Sequence, residues 1–244
     1  MRSRLRCAYV NLLRKAAAGI RPRGWSRCAS ATLLRCTVKP LQRIVIATNN
    51  PNKFREIQEK LTGQPVELLS LADFSLPATV EDQPDLLGNA IKKAREAARG
   101  TGLWALADDT GLEVEALGGA PGVYSARYAG EGATYADNCA KLLREMADVP
   151  DDKRQAKFRA VICLTTEDGT YCTEGRLEGR ITREARGDKG FGYDPVFELA
   201  DGRTLAELEM SEKNRLSHRG LAVEKMMKLL KFLLSDSGRE PLRA

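Results

Sequence analysis

Hydrophobic and polar positions follow two alternating periods once the chain has passed about residue 40. Short apolar runs, rich in β-branched or small residues and bounded by turn residues, predict strands at residues 43–48, 66–69, 104–107, 158–164 and 170–173. Apolar positions spaced three and four residues apart predict helices at residues 54–61, 89–99, 134–146 and 219–234. Strands that alternate with helices indicate a single α/β domain.

Charge divides the chain into an N-terminal extension and a body. Residues 1–40 hold ten basic residues and no acidic one, so the other residues carry 39 − 10 = 29 basic against 33 acidic side chains. The extension has the composition of a mitochondrial targeting peptide. A disordered basic tail and translated upstream sequence are the alternatives. We predict the functional domain at residues 41–236 and a C-terminal tail at residues 237–244.

Several classes of protein are disfavoured by composition. No apolar run approaches the ~18 residues that a membrane span needs, so we expect a soluble, cytoplasmic protein, or a mitochondrial one if the extension is a transit peptide. The body is mildly acidic, which does not favour a nucleic-acid-binding surface. Six cysteines without a C-x-x-C pair disfavour a zinc site, and we expect reduced thiols. His218 is the one histidine, which excludes a two-histidine metal site.

Two adjacent carboxylates are the first candidate for chemistry. The apolar run 103–107 ends in Asp108 and Asp109, which predicts that both lie at the exit of a buried strand. Ligands of open α/β sheets usually bind there. Two adjacent acids repel each other, which favours a bound cation or a catalytic role. A solvated turn is the alternative.

Residues 48–53 are the second candidate. Asn50 is a favoured N-cap and Pro51 a favoured first helical residue, so a helix is predicted to start at the exit of the first strand. Free backbone N–H groups, the positive end of the helix dipole and the Lys53 ammonium would together bind an anion. The glycines of a Walker A loop are missing. An ordinary turn with a solvated lysine is the alternative.

Two later segments offer groups that could bind a nucleobase. Glycines surround Phe191 in residues 187–195, which would leave its ring open for stacking. Ser217 is predicted to cap the last helix, with the donors His218 and Arg219 in its first turn. A plain turn with a core phenylalanine and a solvated helix start are the alternatives.

Five motifs in this order, at residues 48–53, 107–111, 119–128, 191–195 and 217–220, resemble those of the inosine triphosphate pyrophosphatase family. The resemblance covers about residues 43–234. It implies a three-layer α/β/α fold around a long mixed sheet, with two lobes flanking a nucleotide cleft, usually in a homodimer. It also implies Mg²⁺-dependent hydrolysis of dITP, ITP and XTP to the nucleoside monophosphate and pyrophosphate.

The resemblance also implies residue roles. Asp109 would be the catalytic carboxylate, binding Mg²⁺ and accepting a proton from the attacking water, with Asp108 and Glu81 as further metal ligands. Phe191 would stack on the purine. The residues implied to bind substrate are Thr48, Asn49, Asn50, Pro51, Asn52, Lys53, Thr110, Phe191, Gly192, Tyr193, Asp194, Lys213, His218 and Arg219. Gly88 departs from the family, which commonly has an acid there, so Glu81 or Asp82 must supply the second metal-binding carboxylate.

The sequence alone leaves three other functions open. A related pyrophosphatase could act on a modified pyrimidine or a methylated purine. A regulator could bind nucleotide without hydrolysing it, although both Asp108 and Asp109 are present. RNA or DNA binding would need only the basic residues 1–40. A small-molecule nucleoside triphosphate, without nucleic acid or membrane, is the partner that we expect.

Overall fold

A computed structural model describes residues 41–235, so the predicted extension and the predicted C-terminal tail lie outside the described residues. The strands are β1 (Gln42–Ile46), β2 (Val66–Ser70), β3 (Trp104–Val114), β4 (Pro121–Gly122), β5 (Gln155–Thr165), β6 (Thr170–Ile181) and β7 (Phe197–Glu198). The helices are α1 (Pro51–Leu61), α2 (Leu86–Thr101), α3 (Tyr135–Glu145), α4 (Met210–Leu216) and α5 (His218–Leu234).

The strands form one mixed sheet in the order β2-β1-β3-β5-β6-β7, with β4 paired to β3. The pairs β1–β2 and β1–β3 are parallel. The pairs of β3 with β4 and β5, and those of β6 with β5 and β7, are antiparallel. The long antiparallel strands explain why the alternating βα pattern applies only to the first half of the domain.

Helices cover both faces of the sheet. Successive residues of a strand point to opposite sides, so neighbouring apolar residues pack against different helices. Ile44, Ile46 and Leu106 pack with α1 and α5 on one face. Val45 and Ala107 pack with the alanine-rich face of α2 on the other face. This confirms the predicted three-layer α/β/α class.

A second lobe has a core of its own. Leu112 and Val114, at the far end of β3, pack there with Leu142 of α3 and Phe197 of β7. The same strand therefore runs from the helix-covered half of the sheet into the second lobe. Asp108 and Asp109 lie between the two halves.

The prediction that a strand ends at Ala107 is wrong. β3 continues to Val114 because β5 pairs with it along its whole length, from Ala105 opposite Thr165 to Val114 opposite Ala156. The prediction relied on the pattern of apolar residues, and this pattern is interrupted where the middle of the strand carries charged residues.

The expected helices are present, with small differences at their ends, and Ser217 caps α5 as predicted. α4 was not predicted. In α5, Met226 is buried, whereas Leu221 is only half-buried. Among residues 41–235, no helix is both long and apolar enough to cross a bilayer.

The expectation of reduced thiols is wrong for one pair. Cys163 of β5 and Cys172 of β6 form a disulfide. The two residues lie directly opposite each other in the antiparallel register, which brings their Cα atoms to 4.2 Å. Sequence spacing alone could not reveal this pairing, because it depends on the register of the hairpin.

Candidate functional site

The site lies at a gap along one edge of β3. β1 pairs with β3 only as far as Leu106, and β4 pairs with it from Leu112 onward. Between these points, the β3 edge opposite β5 carries no strand within the described part of the chain. The turn after β1 and the loop around β4 flank this gap, so polar groups from both converge on the middle of β3.

Asp108 and Asp109 do not form the repelling pair that the sequence predicted. Consecutive residues of a strand point to opposite faces of its sheet. The carboxylate of Asp108 therefore faces α1 and α5, whereas that of Asp109 faces α2. Each has its own set of cationic neighbours.

Two cations hold Asp108. Lys53 Nζ lies 2.6 Å from Asp108 Oδ1, and Arg219 Nε donates to Asp108 Oδ2 at 3.0 Å. Thr110 also donates its hydroxyl to this carboxylate. Burial alone would raise the pKa of Asp108, but Arg219 and Lys53 hold it far below the ordinary range. Asp108 is therefore a permanent anion.

Asp109 has a different environment. Lys93 Nζ of α2 lies 2.6 Å from Asp109 Oδ1 and 3.0 Å from Glu81 Oε1. Burial raises the pKa of Asp109 above that of an ordinary aspartate, although Lys93 and Lys53 oppose the shift. Asp109 is thus a better proton acceptor than an exposed aspartate would be.

The three predicted metal ligands do not lie together in the structure. Among residues 41–235, no group of three His, Cys, Asp or Glu side chains is arranged to hold a metal ion. Asp108 does not converge with Asp109, because it faces the other side of β3, where it is paired with Lys53. Asp109 and Glu81 do converge, because both contact the Lys93 ammonium. Two carboxylates together with substrate phosphates suit Mg²⁺.

Lys93 is a site residue that sequence reasoning missed. It lies on the predicted helix 89–99, one turn after Asn89, and it is mostly buried. The only available signal was a lysine on the alanine-rich face of that helix.

The turn at residues 48–53 forms the predicted helix start. The side chain of Asn50 caps α1 by accepting from the N–H groups of Asn52 and Lys53 at 3.0 and 3.3 Å. The N–H of Asn50 donates to the Thr48 hydroxyl. The prediction that these backbone N–H groups are free is therefore wrong for Asn50, Asn52 and Lys53. The Lys53 ammonium and the helix dipole still make the turn electropositive.

The loop around Phe191 is fixed by a buried aspartate. Asp194 Oδ2 accepts the Phe191 N–H at 2.8 Å and lies 2.5 Å from Lys213 Nζ. Gly190 has a φ of +73°, and a Cβ there would come within 2.1 Å of Asp194 Oδ2. The absence of a side chain at Gly190 therefore leaves room for Asp194 to hold the loop in place. Lys213 Nζ also lies 4.6 Å from the centre of the Phe191 ring.

His218 and Arg219 are more deeply enclosed than predicted. The His218 ring stacks on Phe158 with centroids 4.5 Å apart, and burial together with Arg219 lowers its pKa well below the ordinary value. A neutral histidine results. Most donors of Arg219 are directed at Asp108, Glu56 and Thr110. Both residues line the cavity beside Phe191; donation from either to a base edge stays a prediction.

Buried charges of alternating sign connect the loop to the turn. Glu56, which the sequence analysis did not single out, bridges Lys213 at 2.7 Å and Arg219. It lies one helical turn after Lys53 on the buried face of α1, which was the available signal. The whole series is Asp194, Lys213, Glu56, Arg219, Asp108 and Lys53.

Two adjoining cavities collect most predicted substrate residues. One of about 890 Å³ is lined by Thr48, Asn49, Asn50, Pro51 and Lys53, together with Glu81 and Lys93. One of about 90 Å³ is lined by residues 191–194, Thr110, Lys213, His218 and Arg219. Asn50, Lys53 and Tyr135 line both. Asn52 instead accepts from Arg55. One elongated ligand could place a polyanion in the first cavity and a ring in the second.

Comparisons with known proteins identify the family of this chain. A model of the Ham1 family matches residues 44–229. A Desulfotalea psychrophila protein named dITP/XTP pyrophosphatase is 54% identical over 183 residues, which cover 74% of this chain and 81% of that protein. A Salmonella typhimurium protein of the same name is 45% identical over 195 residues, covering 78% and 99%.

Solved structures show the same architecture. A HAM1 protein from Coxiella burnetii superposes with a TM-score of 0.72 at 44% identity, covering 78% of this chain and 98% of that one. A Ham1 protein from Staphylococcus aureus gives a TM-score of 0.70 at 34% identity, with the same coverage of both chains. The resemblance carried by the five ordered motifs is thereby confirmed, and the chain belongs to the Ham1 family.

Proposed function

We propose that this protein hydrolyses non-standard purine nucleoside triphosphates, namely dITP, ITP and XTP, to the nucleoside monophosphate and pyrophosphate. The observation that carries the proposal is the pair of adjoining cavities, one beside the carboxylates and one beside Phe191, with Lys53 lining both. The relatives are named dITP/XTP pyrophosphatases, which supports two of these substrates, dITP and XTP.

The cationic groups suit a triphosphate. A nucleoside triphosphate carries roughly four negative charges, and charge shifts to pyrophosphate as the bond breaks. Lys53 and Lys93 line the larger cavity and can neutralise part of this charge. Lys53 and Arg219 both contact Asp108, and this pairing keeps the Lys53 ammonium at the cavity.

Asp109 is the proposed general base. It would accept a proton from the water that attacks the α-phosphate, and its raised pKa favours that transfer. In the structure its oxygen is bonded to Lys93. Catalysis therefore requires the Lys93 side chain to turn from Asp109 towards the phosphates, which its flexible stem permits.

Mg²⁺ is the proposed cofactor, with Asp109 and Glu81 as the protein ligands. When bound, it would withdraw charge from the phosphate oxygens and favour the leaving of pyrophosphate. Asp108 is not part of this proposal, because Lys53 and Arg219 already neutralise it.

Base selection would depend on hydrogen bonding beside Phe191. Inosine and xanthine have an acceptor oxygen at position 6, where adenine has an amino donor. A pocket of donors leaves groups unpaired with the wrong base, which costs about 1–3 kcal/mol per buried group. His218 and Arg219, which line this cavity, are the proposed donors.

A substrate panel with pyrophosphate detection tests the proposal. We expect dITP, ITP and XTP to be hydrolysed far faster than ATP and GTP, with loss of activity in EDTA. Faster turnover of dUTP or 7-methyl-GTP would favour a related pyrophosphatase instead. Nucleotide binding without pyrophosphate release under Mg²⁺ would favour a regulator.

Other parts of the proposal rest on the sequence: the homodimer on the resemblance, and the rest on composition and charge. A homodimer, a cytoplasmic location, a functional domain at residues 41–236 and the absence of a nucleic-acid partner stay predictions. Light scattering on the purified protein tests the dimer. Deletion of residues 1–40 should leave dITP hydrolysis intact.

A further inference from the structure

The segment that carries Glu81 is held against α2 in one register. Its two adjacent acids meet two adjacent lysines of the helix: Glu81 pairs with Lys93 at 3.0 Å and Asp82 with Lys92 at 2.8 Å. Only the first pair faces Asp109. The second pair is more exposed than the first. A shift by one residue would therefore bring the wrong carboxylate to the site.

Asn89 makes a buried contact that helps to fix this register, beside Arg127, which donates to the Glu81 carbonyl oxygen at 3.3 Å. Its side chain is 1% exposed, and its Oδ1 accepts the backbone N–H of Gln83 at 3.0 Å. The other amide atom, Nδ2, has no hydrogen-bond partner in the part of the chain that the structure describes. Within the described residues, the Asn89 side chain therefore hydrogen-bonds only to the segment that carries Glu81. It lies one helical turn before Lys93 and shares its face of α2.

Gly88 makes room for this contact. A Cβ at position 88 would lie 2.8 Å from Gln83 Cβ, an atom next to the backbone that cannot move away independently. A side chain at Gly88 would therefore push Gln83 outward and lengthen its bond to Asn89. Glu81, two residues earlier, would move with it.

We propose that Asn89 is a positioning residue that holds Glu81 at the cation site, with Gly88 providing the space for the contact. The inference rests on the proposed function, because Glu81 is taken there as a ligand. Within the described residues, the Asn89 side chain makes no hydrogen bond to Asp109 or to the Lys93 ammonium. It acts through the backbone of the segment.

Mn²⁺ binding without nucleotide, followed by electron paramagnetic resonance, tests the proposal on full-length protein. We expect Asn89→Ala to weaken Mn²⁺ binding about 3- to 10-fold, the scale of one lost hydrogen bond. The same substitution in a Glu81→Gln background should add nothing, because its effect passes through Glu81. Effects that multiply in the double variant would overturn the proposal, as would unchanged binding by Asn89→Ala.

Matched variants separate positioning from general damage. Asn89→Asp keeps the acceptor oxygen and should bind Mn²⁺ at least as well as the wild type. Lys92→Met removes only the more exposed pair and should stay within about twofold, since such pairs contribute little. Gly88→Ala should weaken binding as Asn89→Ala does. Circular dichroism checks folding, and Asn89→Ser, too short to reach the Gln83 N–H, replaces an alanine variant that fails to fold.

The outcomes for the two proposals are distinguishable. If Glu81→Gln binds Mn²⁺ like the wild type, the Asn89 proposal falls together with the assignment of Glu81. Hydrolysis of dITP by the wild type would still support the proposed reaction in that case. If Asn89→Asp loses binding as completely as Asn89→Ala, the acceptor role is wrong even though the cation site stands.

Discussion

Asp108 and Asp109 are neighbours in sequence but lie in two regions with opposite electrostatic character. On the α1 and α5 face, Asp108 is bonded by Lys53 and Arg219, and its pKa is far below the ordinary range. On the α2 face, Asp109 shares one lysine with Glu81, and its pKa is raised. One strand thus presents a fully neutralised carboxylate on one side and a partly neutralised one on the other.

The difference separates two tasks. The α1 and α5 face uses charge to build structure, since its ion pairs join the loop around Phe191 to the turn around Lys53. The α2 face leaves Asp109 able to exchange its partner for another cation or a proton. Adjacent positions in a strand allow both tasks within one site, because the sheet separates the two carboxylates.

Replacing Asp109 by Asn should have the largest effect on activity. The amide cannot accept a proton at neutral pH, so dITP hydrolysis should fall by about 10³-fold or more. The folded state should keep its thermal midpoint, because burial already disfavours the charged form of Asp109. Pyrophosphate release and a thermal melt measure the two quantities. Turnover near that of the wild type would rule out Asp109 as the base.

Replacing Asp108 by Asn should reverse this pattern. Arg219 and Lys53 would lose their shared anion inside the protein, which costs about 3 kcal/mol or more. Urea denaturation should show this loss in the free energy of unfolding, while Mn²⁺ binding by the folded protein should change little. If Asp108→Asn were as stable as the wild type and lost Mn²⁺ binding, the two carboxylates would have exchanged roles.

The disulfide tests whether the α2 face has its own source of stability. Cys163 lies directly opposite Ala107 in the register and packs against the alanines of α2. The bond closes a hairpin with a sequence separation of nine, so its loss should cost about 2 kcal/mol. Dithiothreitol should lower the thermal midpoint of the wild type but not that of Cys172→Ser. Equal midpoints with and without the reductant would contradict a structural disulfide.

Local patterns predicted the elements that determine their own structure. The cap at Asn50, the helix start after Ser217 and the alanine face of α2 follow from short-range rules, and all are present. The five motifs also identified the family. These features depend on residues close together in the chain.

Features that depend on pairing across the sheet were missed. The continuation of β3 past Asp109, the disulfide and the opposite orientation of the two carboxylates all follow from the register with β5 and β6. Lys93 and Glu56 were missed because a buried charge looks like a solvated one until its partner is known. Charge burial is a tertiary property, so spacing within one helix cannot show it.

The smallest predicted effect is a shift in the acid limb of the activity profile. Asp109 must be ionised to act as a base, so kcat/KM should fall as the pH drops through the pKa of Asp109 in the free enzyme, which lies above that of an ordinary aspartate. Lys93 favours the ionised form and therefore lowers this pKa. In Lys93→Met the pKa of Asp109 should rise, and the acid limb should therefore move to higher pH, beside any loss in maximal rate. Profiles of kcat/KM for dITP measure the midpoint. Because Asp108 lies on the other face, Arg219→Met should leave that midpoint nearly unchanged; a larger shift in Arg219→Met than in Lys93→Met would show that the two faces are not electrostatically separate.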